Sequence, residues 1–438
     1  MALYYLLLRG WLHFGSSPFF IRSLSVILSL AAVWAIYWLG AKLFDRRVGL
    51  LSAALLSFNA YHIRYAQEAR SYSLFVLLAI LSSGFFVAAL RQQSRRSQIG
   101  YVVTSVLAVY AHLYALLLFA AQWLSMRAWI NPGADKERCG RILRRTWIWM
   151  AILCSPIVIF AAKTGAGPIR WIPKPTLHDL LRFAEQLAGN DGISLLLIYA
   201  SMCLIAFVAL RGRYAKHGAP ILAFESWRLR FLLLWLFFPI LLVLLLSLAR
   251  PLFLGRYFIF CLPPFIILAA AGIVRLPRTW LIVAVVAAIT LLSLQGTFSY
   301  YNHDFDLVRD GSETATNYVL DHAQPRDAML FHIAEARVPY EFFKSIRDSK
   351  NFAAGPDIVY PRHGDHLDYR DFSGKPSMDL MKSLAAGYPR VWVVLMSNQT
   401  AGRPDATTVM MKQVLDESFV EIEEEQFPEV EVRLYSRR

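Results

Sequence analysis

Long apolar runs separated by short polar stretches dominate the first three hundred residues. Ten of them, roughly 22–41, 48–64, 71–90, 99–113, 114–129, 146–162, 193–210, 231–249, 257–274 and 279–299, approach the ~20 residues needed to cross a hydrocarbon core of about 30 Å. Lipid leaves backbone polar groups no partner outside their own segment, so each run is expected to be helical. Residues 3–14 are too short to span. Tyr4, Tyr5, Trp11 and His13 within them suit a helix lying in the membrane interface, and residues 1–19 are read as such a juxtamembrane element. After residue 299 the pattern changes to that of a mixed α/β domain. RVWVVLM (390–396) has the look of a buried strand, and Val430, Val432 and Leu434, alternating with Glu429, Glu431 and Arg433, of a half-exposed one. Ser312 is expected to cap a helix running to about Ala323, and Asp405 another running to about Ser418.

Composition agrees with a lipid environment. Hydrophobic residues make up 57% of the 438, charged residues only 17%, and the mean hydropathy is +0.43. A soluble chain carries nearer a quarter charged residues. Residues 1–299 hold 29 Lys and Arg against 8 Asp and Glu, whereas residues 300–438 hold 16 against 23. The pI of 9.7 therefore reflects basic loops between apolar runs, not a surface for nucleic acid, and no nucleic-acid partner is expected. Alternating the loops across the membrane puts 19 basic residues on one side and 10 on the other. The positive-inside rule assigns the richer set to the cytoplasm, which leaves both chain ends outside. The four cysteines all lie in the membrane part and form no metal-binding or disulfide pattern.

Apart from the tail, acids on the outer side are few: Glu68, Asp179, Glu185 and Asp191. Glu68 lies in HIRYAQEARSYSL (62–74), between two expected spans, with Gln67, Arg70 and Tyr72. Ionisable groups at the rim of the bilayer are costly and tend to mark sites, although Glu68 and Arg70 could simply pair with each other. Three more outer segments carry candidate ligands. They are YAHLYA (110–115) with His112 and Tyr114, GPIRWIPKPTLHDLLRF (167–183) with Arg170, Trp171 and Lys174, and PLFLGRYFIFCLPP (251–264) with Arg256 and Tyr257. An aromatic belt, a plain connector and a snorkelling anchor are their respective plain alternatives. In the tail, His363, Asp365, His366 and Asp368 are closely spaced, but a polar loop explains them and no resident metal or other cofactor is expected. Cations and a carboxylate at head-group level suit a sugar carried on a lipid phosphate. Arginines would hold the phosphate that leaves, a carboxylate would orient or deprotonate the acceptor hydroxyl, and aromatic rings would stack on sugar faces.

On these stretches the chain resembles the polyprenyl-phosphate-dependent glycosyltransferases of the GT-C membrane fold, in the branch holding the protein mannosyltransferases, the lipid A aminoarabinose transferase and the rhizobial galacturonosyltransferases. The segments that carry the resemblance are ALYYLLLRGWLHFGSSPFFIRSLSVILS, LFDRRVGLLSAALLSFNAYHIRYAQEARSYSL, YAHLYALLLFAAQ, RWIPKPT and GRYFIFCLPP. The resemblance implies an all-α polytopic membrane protein of about ten transmembrane helices (1–299) with a C-terminal soluble α/β domain (300–438) outside the bacterial inner membrane. It implies an inverting transfer from a polyprenyl-phosphate sugar to a lipid, glycan or protein acceptor. By position, Gln67–Tyr72 would line the active site, while Arg256 and the Arg170–Lys174 loop would meet the donor phosphate. The family also has a helix before the segment matching ALYYLLL, followed by an outer loop with an acid regarded as the catalytic base. Neither has a counterpart after Met1, so the natural reading frame is expected to extend upstream. Two non-enzymatic alternatives stay open: an assembly partner without activity, and a transporter of glycolipid precursors. A transporter would place ionisable groups near the midplane on broken helices.

Overall fold

The computed structural model describes residues 2–127, 136–165, 172–189, 192–217, 222–303, 307–347, 355–362, 375–396, 399–400 and 403–438. The chain divides into two compact units. The first comprises Met1–Lys163 and Trp171–Tyr301, the second Thr164–Arg170 and Asn302–Arg438.

The first unit is helical. Its helices are α1 (Ala2–Trp11), α2 (Pro18–Leu43), α3 (Arg46–Phe58), α4 (Ala60–Ala66), α5 (Tyr72–Gln92), α6 (Arg95–Ala111), α7 (Ala115–Arg127), α8 (Lys136–Thr164), α9 (Leu177–Ala188), α10 (Ile193–His217), α11 (Leu222–Ser247), α12 (Leu262–Ile273) and α13 (Thr279–His303). A 3₁₀ segment, Gly255–Cys261, runs directly into α12. Among the described residues seven helical stretches are long and apolar enough to cross a membrane: α2, α5, Gly140–Thr164, Ile193–Arg211, Trp227–Ser247, Gly255–Ile273 and Thr279–Asn302. The protein is thus a multi-pass membrane protein. The three other runs expected to span fold as shorter helices. The run 48–64 is broken at Asn59, whose extended backbone (φ −71°, ψ 115°) ends α3 and whose side chain caps α4. The run 99–113 belongs to α6, which His112 ends in extended geometry, and 114–129 belongs to α7. At 1.5 Å per residue, the 13 residues of α7 cover only about 20 Å.

Local chemistry sets the helix starts. Ser17, Asp45, Asn59 and Ser94 each accept a hydrogen bond from a backbone N–H of the helix that follows, and Thr176 with Asp179 forms a reciprocal capping box on α9. Packing sorts the apolar helices. α5 and α12 are buried nearly all round, while α8 and α13 expose most of their surface, as lipid-facing helices do. Small residues permit close approach: a Cβ on Gly272 would lie 1.9 Å from the Met202 carbonyl oxygen of α10. The expected N-terminal helix forms as α1. Tyr4 on it is fully buried, and its hydroxyl meets Ser25 Oγ at 2.7 Å, so α1 is docked on α2 rather than merely resting beside it.

The second unit contains α14 (Leu307–His322), β1 (Ala328–His332), α15 (Arg337–Arg347), β2 (Asp357–Tyr360), α16 (Met378–Gly387), β3 (Arg390–Met396), β4 (Gln399–Thr400), β5 (Arg403–Pro404), α17 (Ala406–Asp416), β6 (Phe419–Phe427) and β7 (Val430–Arg437). A five-stranded sheet runs in the order β2-β1-β3-β7-β6, with β1 parallel to β2 and β3, and β7 antiparallel to β3 and β6. The buried strand at 390–396 is β3, and Asp405 caps α17 by accepting from Thr408 N at 2.7 Å. Two expectations change. Ser312 does not start a helix: α14 begins at Leu307, and Ser312 is buried within it together with Ala315, Thr316 and Val319, a helical face turned inward. Nor is β7 half-exposed. It lies between β3 and β6, so Glu431 is buried as well and pairs with Arg433.

Candidate active site

The sequence places Glu68 in a five-residue link, 67–71, between α4 and α5. Hydrogen bonds from several elements fix this link. Ser25 Oγ donates to the Glu68 carbonyl at 2.7 Å, which leaves the Tyr4 hydroxyl as donor to Ser25. Arg70 N donates to the same carbonyl at 2.8 Å, closing a tight turn. Below it, Ser29 donates to Ser73 (3.0 Å) and Ser73 to the Tyr65 carbonyl (2.9 Å). The cap that starts α4 has a second task. Asn59 Nδ2 donates to the Leu187 carbonyl at 3.1 Å, and Tyr61 donates to the Gly255 carbonyl at 2.9 Å. Residues far apart in sequence are therefore fastened around one short helix.

The charges converge on the link. Burial raises the Glu68 carboxyl above its ordinary value. The guanidinium groups of Arg70, Arg64, Arg256 and Arg22 oppose that rise, in that order, without cancelling it. Arg256 acts on Tyr65 and Tyr72 as well as on Glu68, so the acid, the cations and the phenols share one electrostatic neighbourhood. Arg70 itself is exposed.

An aromatic wall lies alongside. Tyr61, Tyr65 and Tyr72 follow one another edge to face at centroid spacings of 5.0 and 4.8 Å. His112 continues the row, stacked on Phe75 at 4.9 Å and 5.1 Å from Tyr257, which is itself 5.3 Å from Tyr114. Tyr114 donates its hydroxyl to the Leu252 carbonyl at 2.6 Å, and its backbone N–H donates to His112 Nδ1 at 3.2 Å. A neutral His112 therefore carries its proton on Nε2.

Of the residues singled out from sequence, Glu68, Arg70, Tyr72, His112, Tyr114, Arg256 and Tyr257 come together here. Gln67 joins from a different side: its amide donates to the Tyr301 hydroxyl at the end of α13 and, at 3.4 Å, to the Ile63 carbonyl. Lys174 is exposed on the segment leading into α9, and among the described residues nothing links it to the cluster. Arg170 and Trp171, like the tail residues His363, Asp365, His366 and Asp368, lie outside the described residues. Sequence reading passed over Arg22 and Arg64 as site residues. Their signal was their place in the sparsely charged outer loops, but the proximity of Arg22 to Glu68 depends on how α2 and the link pack. Arg64 also sits over the Tyr300 ring, 5.4 Å from its centroid. No group of three or more His, Cys, Asp or Glu side chains suited to a metal occurs among the described residues.

No family model matches the sequence, and no curated protein matches it. Solved structures do. ArnT from Cupriavidus metallidurans in the apo state superposes with a TM-score of 0.61 at 10% identity, covering 94% of this chain and 83% of that one. The same protein bound to undecaprenyl phosphate gives a TM-score of 0.59 at 12% identity, covering 97% and 85%. Likeness at that identity is likeness of architecture. The polytopic helical unit with its C-terminal α/β domain is the GT-C fold.

Proposed function

We propose that the protein is a membrane glycosyltransferase that moves a sugar from a polyprenyl-phosphate donor to a lipid, glycan or protein acceptor, with inversion, at the outer face of a bacterial inner membrane. The observation that carries this reading is the meeting of one raised carboxyl group with four arginines beside a tyrosine-rich wall. The GT-C fold and the undecaprenyl phosphate bound to ArnT support it. In the reaction the acceptor hydroxyl oxygen forms a bond to the anomeric carbon as the bond from that carbon to the phosphate oxygen breaks. Glu68 takes the hydroxyl proton, and polyprenyl phosphate leaves with the electron pair. Arg256 holds the donor phosphate, and Arg22 and Arg64 offset the charge that grows on it as it leaves. Arg70 holds Glu68 in place, and Tyr72, Tyr114 and Tyr257 offer ring faces and hydroxyls to sugar. The C-terminal domain lies outside the membrane in this scheme. The chain's own carboxylate and cations account for the step, with no metal or other cofactor.

The test is transfer by the full chain in proteoliposomes supplied with polyprenyl-phosphate sugars. The wild type releases polyprenyl phosphate and glycosylates an acceptor, and Glu68→Gln abolishes both while inserting normally. Full turnover by Glu68→Gln in a preparation shown to be active would refute the assignment of the base.

A further inference from the structure

The opposite membrane edge carries a second basic constellation, and the positive-inside rule does not explain its shape. Four cations from four helices or their ends, Lys42, Arg91, Arg228 and Arg275, converge on the C-terminus of α2. Arg91 Nη1 donates to the Lys42 carbonyl at 3.2 Å, and Arg228 Nη1 donates to the Leu43 carbonyl at 2.8 Å. Two guanidinium groups face one ring: those of Arg228 and Arg275 lie 4.3 and 5.6 Å from the Phe44 centroid. The Lys42 ammonium lies 4.6 Å over Trp38, and Arg91 lies 4.7 Å over Phe224. Arg228 is only 7% exposed.

Capping a helix terminus explains part of this cluster, because the end of a helix carries about half a negative charge. Arg275 also donates to the Ala271 carbonyl near the end of α12, and Arg91 stands in the last turn of α5, so three helix ends meet here, still too little for four cations. The adjoining segments 42–47, 91–96, 211–230 and 275–278 hold thirteen basic residues against two acids. One acid, Asp45, is exposed and accepts from Val48 N at 3.0 Å to cap α3. The other, Glu225, has its side chain outside the described residues. Even with both counted, positive charge predominates around a partly buried aromatic cradle at the ends of membrane-crossing helices. Topology requires basic loops; it does not require them to gather on one helix end with planar guanidinium groups stacked on rings.

We propose that this cluster is a binding site for a phosphate-diester anion of the kind an acidic phospholipid head group presents, distinct from the Glu68 site and seated between the ends of α2, α5, α11 and α12. Basic pockets between membrane helices suit such head groups, and each Lys or Arg near a charged surface contributes about 1 kcal/mol. The cluster does not rest on the reaction proposed above.

The experiment reads lipid carry-over on the purified full chain by native mass spectrometry, after exchange into equimolar phosphatidylglycerol and phosphatidylcholine. The wild type is expected to retain the anionic lipid with a preference of about tenfold or more. The half-buried pair Lys42→Gln with Arg275→Gln is expected to lose about tenfold of that preference. Its thermal midpoint in pure phosphatidylcholine, unchanged from wild type, shows that the fold is intact. Adding inorganic phosphate to the wild type separates the sources. Displacement of lipid only at high ionic strength assigns the site to the head group, and displacement at millimolar phosphate assigns it to a free anion. Equal retention of both lipids by the wild type overturns the proposal, as does a preference that survives in a folded double variant.

Discussion

Glu68 owes its behaviour to two opposed influences of unequal reach. Burial disfavours the carboxylate, and four arginines favour it; burial prevails, so the group ionises above the ordinary range. A base must be deprotonated to act. The rate should therefore fall, as pH drops, through a midpoint above the ~4.3 of an exposed glutamate, and the pH profile of kcat/KM measures this. Arg64 is one of the cations holding that midpoint down. Arg64→Gln should move the acid limb to higher pH while leaving a measurable plateau rate; a limb that stays put or moves down would contradict the electrostatic account. Arg256→Ala should raise the KM for the polyprenyl-phosphate donor more than it lowers kcat, since its proposed contact is with the donor phosphate. Steady-state kinetics at varied donor separates the two parameters.

At the scale of the element, α4 is the part on which the site depends. Seven residues are too few to hold a helix by propensity. What holds it is Asn59, which accepts from His62 N at 3.0 Å and donates to Leu187 at 3.1 Å, together with Tyr61 on the Gly255 carbonyl. Asn59→Ala removes the cap and strands a buried carbonyl. The loss should be about 1–3 kcal/mol, read as a lower thermal midpoint with reduced transfer. Gly189 abuts the same point. Its φ of +96° lies in the left-handed region, and a Cβ there would stand 2.9 Å from Asn59 Nδ2. Gly189→Ala should therefore reproduce the Asn59→Ala defect.

At the scale of the molecule, each unit has its own core and its own way of accommodating polar groups. The membrane unit keeps its buried polar side chains between helices, as where Tyr101 donates to Gln122 at 2.7 Å. The second unit buries an ion pair. Asp327, 1% exposed, accepts from Arg390 at 2.9 and 2.6 Å, from Trp392 Nε1 at 2.9 Å and from Gln324 N at 2.8 Å. Asp327→Asn leaves Arg390 without its countercharge and should destabilise the second unit by about 3–5 kcal/mol. Hydrogen exchange on β1 and β3 of the full chain checks this, with protection in α5 and α12 expected to stay unchanged.

Hydrophobic run length is a property of the chain alone, and it sufficed for seven of the ten expected spans, as the residue pattern did for the strand at 390–396 and the cap at Asp405. Lipid and water act on each segment separately, so such features are legible one segment at a time. The break at Asn59, the interior place of β7 and the burial of Ser312 were not legible, because each depends on which neighbour an element packs against. The candidate site divides in the same way. Glu68 stood out as a rare acid between apolar runs, whereas Arg22, Arg64 and the tyrosine row became its surroundings only when α2, α4, α5 and the Gly255–Cys261 segment closed around it. A charge at membrane depth is visible in sequence; the partners that set its strength are brought there by packing.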